Sequence, residues 1–377
     1  MVELNEVHAL EVFKILDDCY RNKKGLYEHI VLPQDSRPSP VNDPIELANF
    51  YFFVAHFMRG GVVNDTQFEF FWHLFIDFPD FFYPAKVHEN WPPPRILEAI
   101  ESVSAKINGN GRSKVGVLGF KIDEHLPHLH YNMGVVGHFW GGSILNVFKG
   151  AADFEEVFAR IDSKRNQSGF AGMQRKIFAL LTIWLQEKGL INLFPAPIPV
   201  DFHALRILLQ TEIINPSGMQ ALGANWRYPF LAGRQGMRVK DSLVDCIAIW
   251  TQNFLAKTEI SHRVINPALW ILGRELCAGH FQTKPKARGE SFAYLDPDLL
   301  KNDPLLWPKN YRDPCNFCPV EHLCTGVVPS KPYYRFGLLL RFERVSYPNA
   351  KPLLPGMEQH VLPPLAKSRR KVIRNAR

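Results

Sequence analysis

Cys277, Cys315, Cys318 and Cys324 fall within 48 residues, and the last three read Cys-Asn-Phe-Cys-Pro-Val-Glu-His-Leu-Cys. A C-x2-C-x5-C run closes a tight loop whose thiolates converge on one centre, which suits an iron–sulfur cluster or a zinc ion. Cys277 supplies the fourth sulfur of such a site. Clustered cysteines in a chain without a signal-peptide pattern are ligands more often than disulfides. Cys19 and Cys246 stand alone in apolar patterns and read as core residues. Upstream, Pro199-Val200-Asp201-Phe202-His203 sets an acid at the start of a helix after a proline-rich connector. The commonest use of such an acid is an N-cap, and the sharper one is a catalytic carboxylate facing a bound polyanion. Earlier still, Gly169-Phe-Ala-Gly172-Met-Gln174-Arg175-Lys176 is a glycine turn feeding directly into a helix. That arrangement presents backbone N–H groups to a phosphate.

The elements around these residues read as helices. Apolar residues recur at helical spacing over Val7–Tyr20, and Pro44–Met58 follows an Asn42/Asp43 cap signal and is apolar almost all round, as in a buried helix. Further helices are predicted over Gln67–Ile76, Pro94–Ile107, Ser143–Phe148, Phe154–Ile161, Met173–Glu187, Phe202–Ile214, Leu243–Ala256 and Pro267–Cys277. Between Ile107 and Tyr131 the chain turns Gly- and His-rich, which predicts loop or hairpin. His125, His128 and His130, beside Asp123 and Glu124, invite a second metal, but Pro127 argues against one helix face and exposed loop histidines are common. Tyr333–Val345 is β-prone.

The 377 residues are enough for one large or two modest domains. There is no 18-residue uncharged apolar run, and the opening Met-Val-Glu-Leu-Asn-Glu lacks a basic stretch followed by an apolar one. An intracellular protein that does not span a membrane is therefore expected. Eleven Lys or Arg from Lys331 to Arg377, against Glu343 and Glu358, give that segment +9 of the total +7, so residues 1–330 carry about −2. The basic tail reads as a solvated terminus or as a polyanion-binding arm.

The order of these parts resembles the helix–hairpin–helix, Gly/Pro-rich, aspartate superfamily of DNA glycosylases, in its iron–sulfur branch typified by endonuclease III and the adenine glycosylases. The hairpin of that family is similar to Ala171-Gly172-Met173-Gln174-Arg175-Lys176, and its aspartate motif to Val200-Asp201-Phe202-His203. Its helix leading to the first cluster cysteine is similar to Leu269-Trp270-Ile271-Leu272-Gly273-Arg274-Glu-Leu-Cys277. The cluster tail fits Cys315 to Cys324. Departures are Gln174 at the second hairpin glycine, Phe202 beside the aspartate, and 37 residues between Cys277 and Cys315 where the family has six.

The resemblance implies an all-α, two-lobed helix–hairpin–helix fold with a C-terminal four-cysteine iron–sulfur loop. It implies an N-terminal helical extension over 1–43, a glycosylase core over 44–324, and a C-terminal extension with the basic tail over 325–377. Within the core lie an insertion at about 83–131, the hairpin at 169–180 and the cluster loop at 277–324. The implied activity is hydrolysis of the N-glycosidic bond of a damaged or mismatched base in double-stranded DNA, by a monomer holding a [4Fe–4S] cluster rather than zinc. Asp201 would stabilise the cation-like sugar, and Lys176 sits where bifunctional members place the nucleophile for strand cleavage. Gly172, Gln174, Arg175 and His203 would contact DNA. His56 falls where the family carries a residue that wedges into the stack, although a His on an apolar face is commonly a satisfied core residue. Two other readings stand beside this one: an N-glycosidase acting on a modified free nucleotide or RNA, and a non-catalytic nucleic-acid-binding module with a structural cluster.

Overall fold

The structure is a computed structural model that describes residues 4–35, 43–58, 64–108, 122–162, 167–214, 243–277 and 318–324. Among the described residues every regular element is helical, and the strand-like pairings are two isolated bridges, Leu4 with Ile214 and Asp162 with Phe170. No helix among them is long and apolar enough to cross a membrane. The chain divides into two compact units, one of residues 1–29, 200–247 and 264–377, the other of 30–199 and 248–263.

The unit of residues 30–199 and 248–263 is built on α2 (Pro44–Ala55), α3 (Asn64–Asp77), α4 (Pro84–Asn90), α5 (Pro93–Asn108), α6 (Ile122–Phe139), α7 (Leu145–Phe148), α8 (Phe154–Arg160) and α9 (Arg175–Glu187). Asp43 caps α2 by accepting the N–H groups of Ile45 and Glu46, and Pro44 takes the first helical position, where a missing N–H costs nothing. Every residue of α2 from Ala48 to Ala55 is buried, as its all-round apolar pattern predicts. It packs on α9, and Phe50, Phe53 and Phe57 meet Phe71, Trp72 and Phe82 in one aromatic core.

Helix α6 departs from the loop expected over 107–131, since it starts at Ile122 and runs through Pro127. Leu126, Leu129, Met133 and Val136 form a buried stripe at helical spacing, and that packing on α4 and α5 outweighs the proline. Pro127 is the sixth residue of its helix, so the one backbone bond it removes lies near the end.

The other unit holds α1 (Glu6–Arg21) and α10 (Phe202–Gln210). Residues 4–29 belong to this unit. Asn5 donates its N–H to the Ile213 carbonyl at 2.8 Å, and the buried Tyr27 hydroxyl donates to the Ala268 carbonyl at 3.0 Å. Helices α11 (Leu243–Leu255) and α12 (His262–Ile271) each run through both units. Helix α12 begins five residues before the predicted start, with Pro267 again sixth, and continues as a π turn over Leu272–Cys277. Cys246, expected in the core, is exposed, because it lies on the far side of α11 from Ile247, Thr251 and Phe254. Cys19 is half-buried. The β-prone stretch 333–345 and the basic tail lie outside the described residues.

Candidate active site and cysteine loop

Asp201 opens α10 as its N-cap. Its Oδ1 accepts from the N–H groups of His203 at 2.8 Å and Ala204 at 2.9 Å, which turns the carboxyl into the first turn and leaves Oδ2 outside the cap. Acids are favoured here because the first N–H groups of a helix have no internal partner. Asp201 is half-buried, whereas Val200 just before it is fully buried and anchors the entry to the helix.

The first turn of α10 is also fixed from outside. A Cβ built on Gly273 would sit 2.7 Å from the His203 carbonyl oxygen and 2.8 Å from its Cβ. No larger residue fits there without displacing backbone. The π turn that ends at Cys277 therefore presses its glycine against the turn that carries Asp201. Trp270, one turn earlier, meets the His203 ring edge-on with centroids 6.5 Å apart, and the Arg274 guanidinium lies 4.4 Å over the Trp270 ring.

The far end of α10 meets the cysteine loop. Cys318 and Cys324, neither of them in a disulfide among the described residues, are half-buried on either side of a 3-10 turn over Glu321–Leu323. The turn closes through the Glu321 N–H to the Cys318 carbonyl and the Cys324 N–H to the Glu321 carbonyl, with Val320 buried beneath. Cys324 Sγ lies 3.5 Å from Gln210 Oε1 at the last residue of α10. Burial first, then the nearby Cys19 and Cys318, pushes the Tyr27 hydroxyl well above its ordinary value. The backbone of Cys277 ends the π turn of the same unit, while its side chain and Cys315 lie outside the described residues. Among the described residues no group of three or more His, Cys, Asp or Glu is gathered for a metal ion. The donor types nonetheless suit a thiolate-bound centre: Cys318 and Cys324 flank one tight turn, and the backbone of Cys277 closes a helix of the same unit.

In the other unit, Gly172 takes φ +66°, the left-handed conformation that glycine adopts without strain. Its carbonyl accepts the Gln174 N–H at 3.0 Å, and α9 starts at Arg175. Gln174 stands at the N-cap with no side-chain bond to the helix. The first intrahelical bond runs from the Phe178 N–H to the Gln174 carbonyl, so α9 itself gives no partner to the N–H groups of Arg175, Lys176 and Ile177. Arg175 is engaged by both oxygens of Glu155 and stacks its guanidinium 4.7 Å over Phe158. Lys176, the second helical residue, is half-buried.

His56 occupies the core alternative of its two readings. Its ring is 1% exposed, Nδ1 donates to the Phe52 carbonyl at 2.7 Å, and Nε2 accepts from Asn132 Nδ2 at 2.8 Å. A wedge entering a base stack would have to leave both bonds. Asn132, absent from the sequence reading, also bonds the Ala171 backbone on both sides. Its signal in the sequence is a polar residue on the apolar face of α6, between Leu129 and Met133.

Asp201, His203 and the cysteines thus belong to one unit, and Gly172, Gln174, Arg175, Lys176 and His56 to the other. The proline-rich segment before Asp201 is held within the latter by Gln186 Nε2, donating to the carbonyls of Asn192 and Phe194, and by Gln252 Nε2, donating to that of Pro195. No family model, curated protein or solved structure matches this chain.

Proposed function

We propose that this protein is a base-excision DNA glycosylase of the helix–hairpin–helix type, with a four-cysteine loop that holds a [4Fe–4S] cluster. It acts as a monomer inside the cell on lesion-containing duplex DNA. The observation that carries this reading is the setting of Asp201: an acid capping α10 whose first turn is pressed by Gly273 of the segment leading to Cys277. That juxtaposition joins two motifs 72 residues apart, 201 to 273, which the resemblance pairs by order alone. The Gly172 turn running into α9 supports the hairpin.

In this reading the target nucleotide is extruded from the stack, because its glycosidic bond is out of reach within the duplex. As the bond to the base lengthens, positive charge grows on the sugar, and the ionised Asp201 stabilises it with the oxygen left outside the cap. The same carboxylate orients the attacking water and takes its proton. Where Lys176 acts instead as nucleophile, its neutral amine forms the new bond to the sugar carbon as the base leaves. The sugar ring then opens as the carbon–ring-oxygen bond breaks, the ring oxygen takes a proton from the amine, and the Schiff base so formed allows strand cleavage by elimination. The N–H groups at the start of α9 face the phosphate backbone. When bound, the cluster supplies no step of this chemistry. Cys277, Cys315, Cys318 and Cys324 would hold it, and its role would be to brace the elements that meet α10.

The deciding experiment is incubation with duplexes carrying deaminated, oxidised or alkylated bases, scored for free base, with the Asp201→Asn protein as control. Release by the parent and not by the variant supports the reading. No release from any duplex overturns it. The −2 balance of residues 1–330 favours a second reading, an N-glycosidase for a free nucleotide or RNA, since duplex binders are usually basic throughout. Salt separates the two: a duplex binder loses about 0.9 log units of affinity per phosphate contact per decade of salt. The cluster is checked by iron content, expected at about four per chain with absorption near roughly 400 nm. Colourless protein with one zinc would replace it.

A further inference from the structure

We infer that Asn132, set in its orientation by His56, is a positioning residue for the hairpin: it holds the Ala171–Gly172 turn from which α9 starts. This rests on the glycosylase reading, in which that turn meets the DNA backbone, and assigns His56 to the hairpin's support in place of a wedge.

Hydrogen-bond logic fixes every proton in the network. The Ala171 backbone N–H can only donate, and it points at Asn132 Oδ1 at 2.7 Å. The amide group of Asn132 is thereby oriented without ambiguity. One Nδ2 hydrogen then goes to the Ala171 carbonyl at 2.9 Å, and the other to His56 Nε2 at 2.8 Å. Both donors and the acceptor are in use. His56 must therefore be the neutral tautomer with its proton on Nδ1, donated to the Phe52 carbonyl at 2.7 Å. A proton on Nε2 would set a donor against a donor. Asn132 is fully buried and His56 nearly so, so neither group can exchange its partner for bulk water.

The consequence falls on the turn. Ala171 is clasped through both its N–H and its carbonyl by one side chain 39 residues earlier in the chain. The next residue is Gly172 at φ +66°, and three residues after that α9 begins with no side chain capping it. A helix start that lacks its own cap depends on what fixes the chain before it. Here that support comes from α6 through Asn132, and from α2 through His56.

The test uses the full-length protein with Asn132→Leu, which keeps the volume and removes all three bonds, and Asn132→Asp, which keeps an acceptor for the Ala171 N–H. Hydrogen exchange of a peptide covering 168–174 is followed in free protein, with an α8 peptide as internal reference. Binding and turnover on the best lesion duplex are measured in parallel. Exchange of 168–174 is expected to rise at least tenfold in Asn132→Leu and less in Asn132→Asp, with α8 unchanged. The functional loss is expected in KM, about tenfold, together with a salt slope smaller by about one phosphate contact. Unchanged exchange in both variants would overturn the network's hold on the turn. A loosened turn with KM and salt slope unchanged would overturn its role toward DNA. If Asn132→Leu does not fold, Asn132→Asp decides on the same readouts. If the parent binds no duplex, the glycosylase reading fails and the proposed role fails with it, while the exchange data still report whether Asn132 holds the turn.

Discussion

Helices α9 and α10 begin in opposite ways. At α10 a carboxylate occupies the N-cap and takes two backbone N–H groups, so the partial positive charge of the helix start is met by the chain itself. At α9 the cap is a neutral glutamine making no such bond, and the first two helical residues are Arg175 and Lys176. Cations at a helix start run against the helix dipole. Arg175 is met by an acid, Glu155. One start carries a carboxylate in its cap, and the other carries two cations in its first turn.

The largest effect is expected from separating the two roles of Asp201. Asparagine caps a helix about as well as aspartate, so Asp201→Asn should melt within a few degrees of the parent. Its base release should nonetheless fall by several orders of magnitude. Equal losses of stability and activity would reduce Asp201 to a cap. The matching change at α9 is Lys176→Gln. It should still release base but leave abasic sites intact, and borohydride should no longer trap a covalent complex with DNA. A parent protein that never traps would make Lys176 a phosphate contact and the enzyme monofunctional, with Asp201 unaffected.

A smaller effect is expected at the crossing that steadies α10. Gly273→Ala places a methyl group against the His203 backbone, and overpacking of this kind costs about 1–3 kcal/mol. Calorimetry should show the lowered melting temperature, and base release should fall while Lys176-dependent trapping per released base is kept.

The smallest effect concerns the far end of α9 and leaves both helix starts alone. Burial pushes the Glu187 carboxyl up to about 7, while burial and then Arg263 push His262 down to about 4. For Glu187 the raised value means that stability is present below about pH 4.5 and is lost as pH rises through 7. For His262 the lowered value means that stability is present above about pH 6.5 and is lost as pH falls toward 4. The two slopes oppose each other in the parent. Glu187→Gln should therefore leave a protein whose melting temperature drops on acidification from pH 7 to 5. His262→Gln should leave one whose melting temperature rises over the same range. Identical slopes in all three proteins would show that neither group titrates as its surroundings imply.

Much of the local structure is legible in the sequence. Asp43 and Asp201 both cap the helices that follow them, because an N-cap is a contact between residues two or three apart. The buried helix at Pro44 was legible from its apolar circumference, and the Gly172 turn from a glycine placed just before a helix. Helix α6 was missed because a proline and nearby glycines signal a break, and only its packing on α4 and α5 decides otherwise. The start of α12 was missed for the same reason at Pro267.

By itself, then, the sequence determined the helical class, the caps and the chemical types at each motif, since these depend on near neighbours and on side-chain chemistry. Only the tertiary structure decided that Gly273 meets His203, that Cys324 meets Gln210, that residues 4–29 join the Asp201 unit, and that His56 and Asn132 hold Ala171. Each of these joins parts far apart in the chain. Their geometry follows from how whole helices share a core, and periodicity along any one helix carries no record of it.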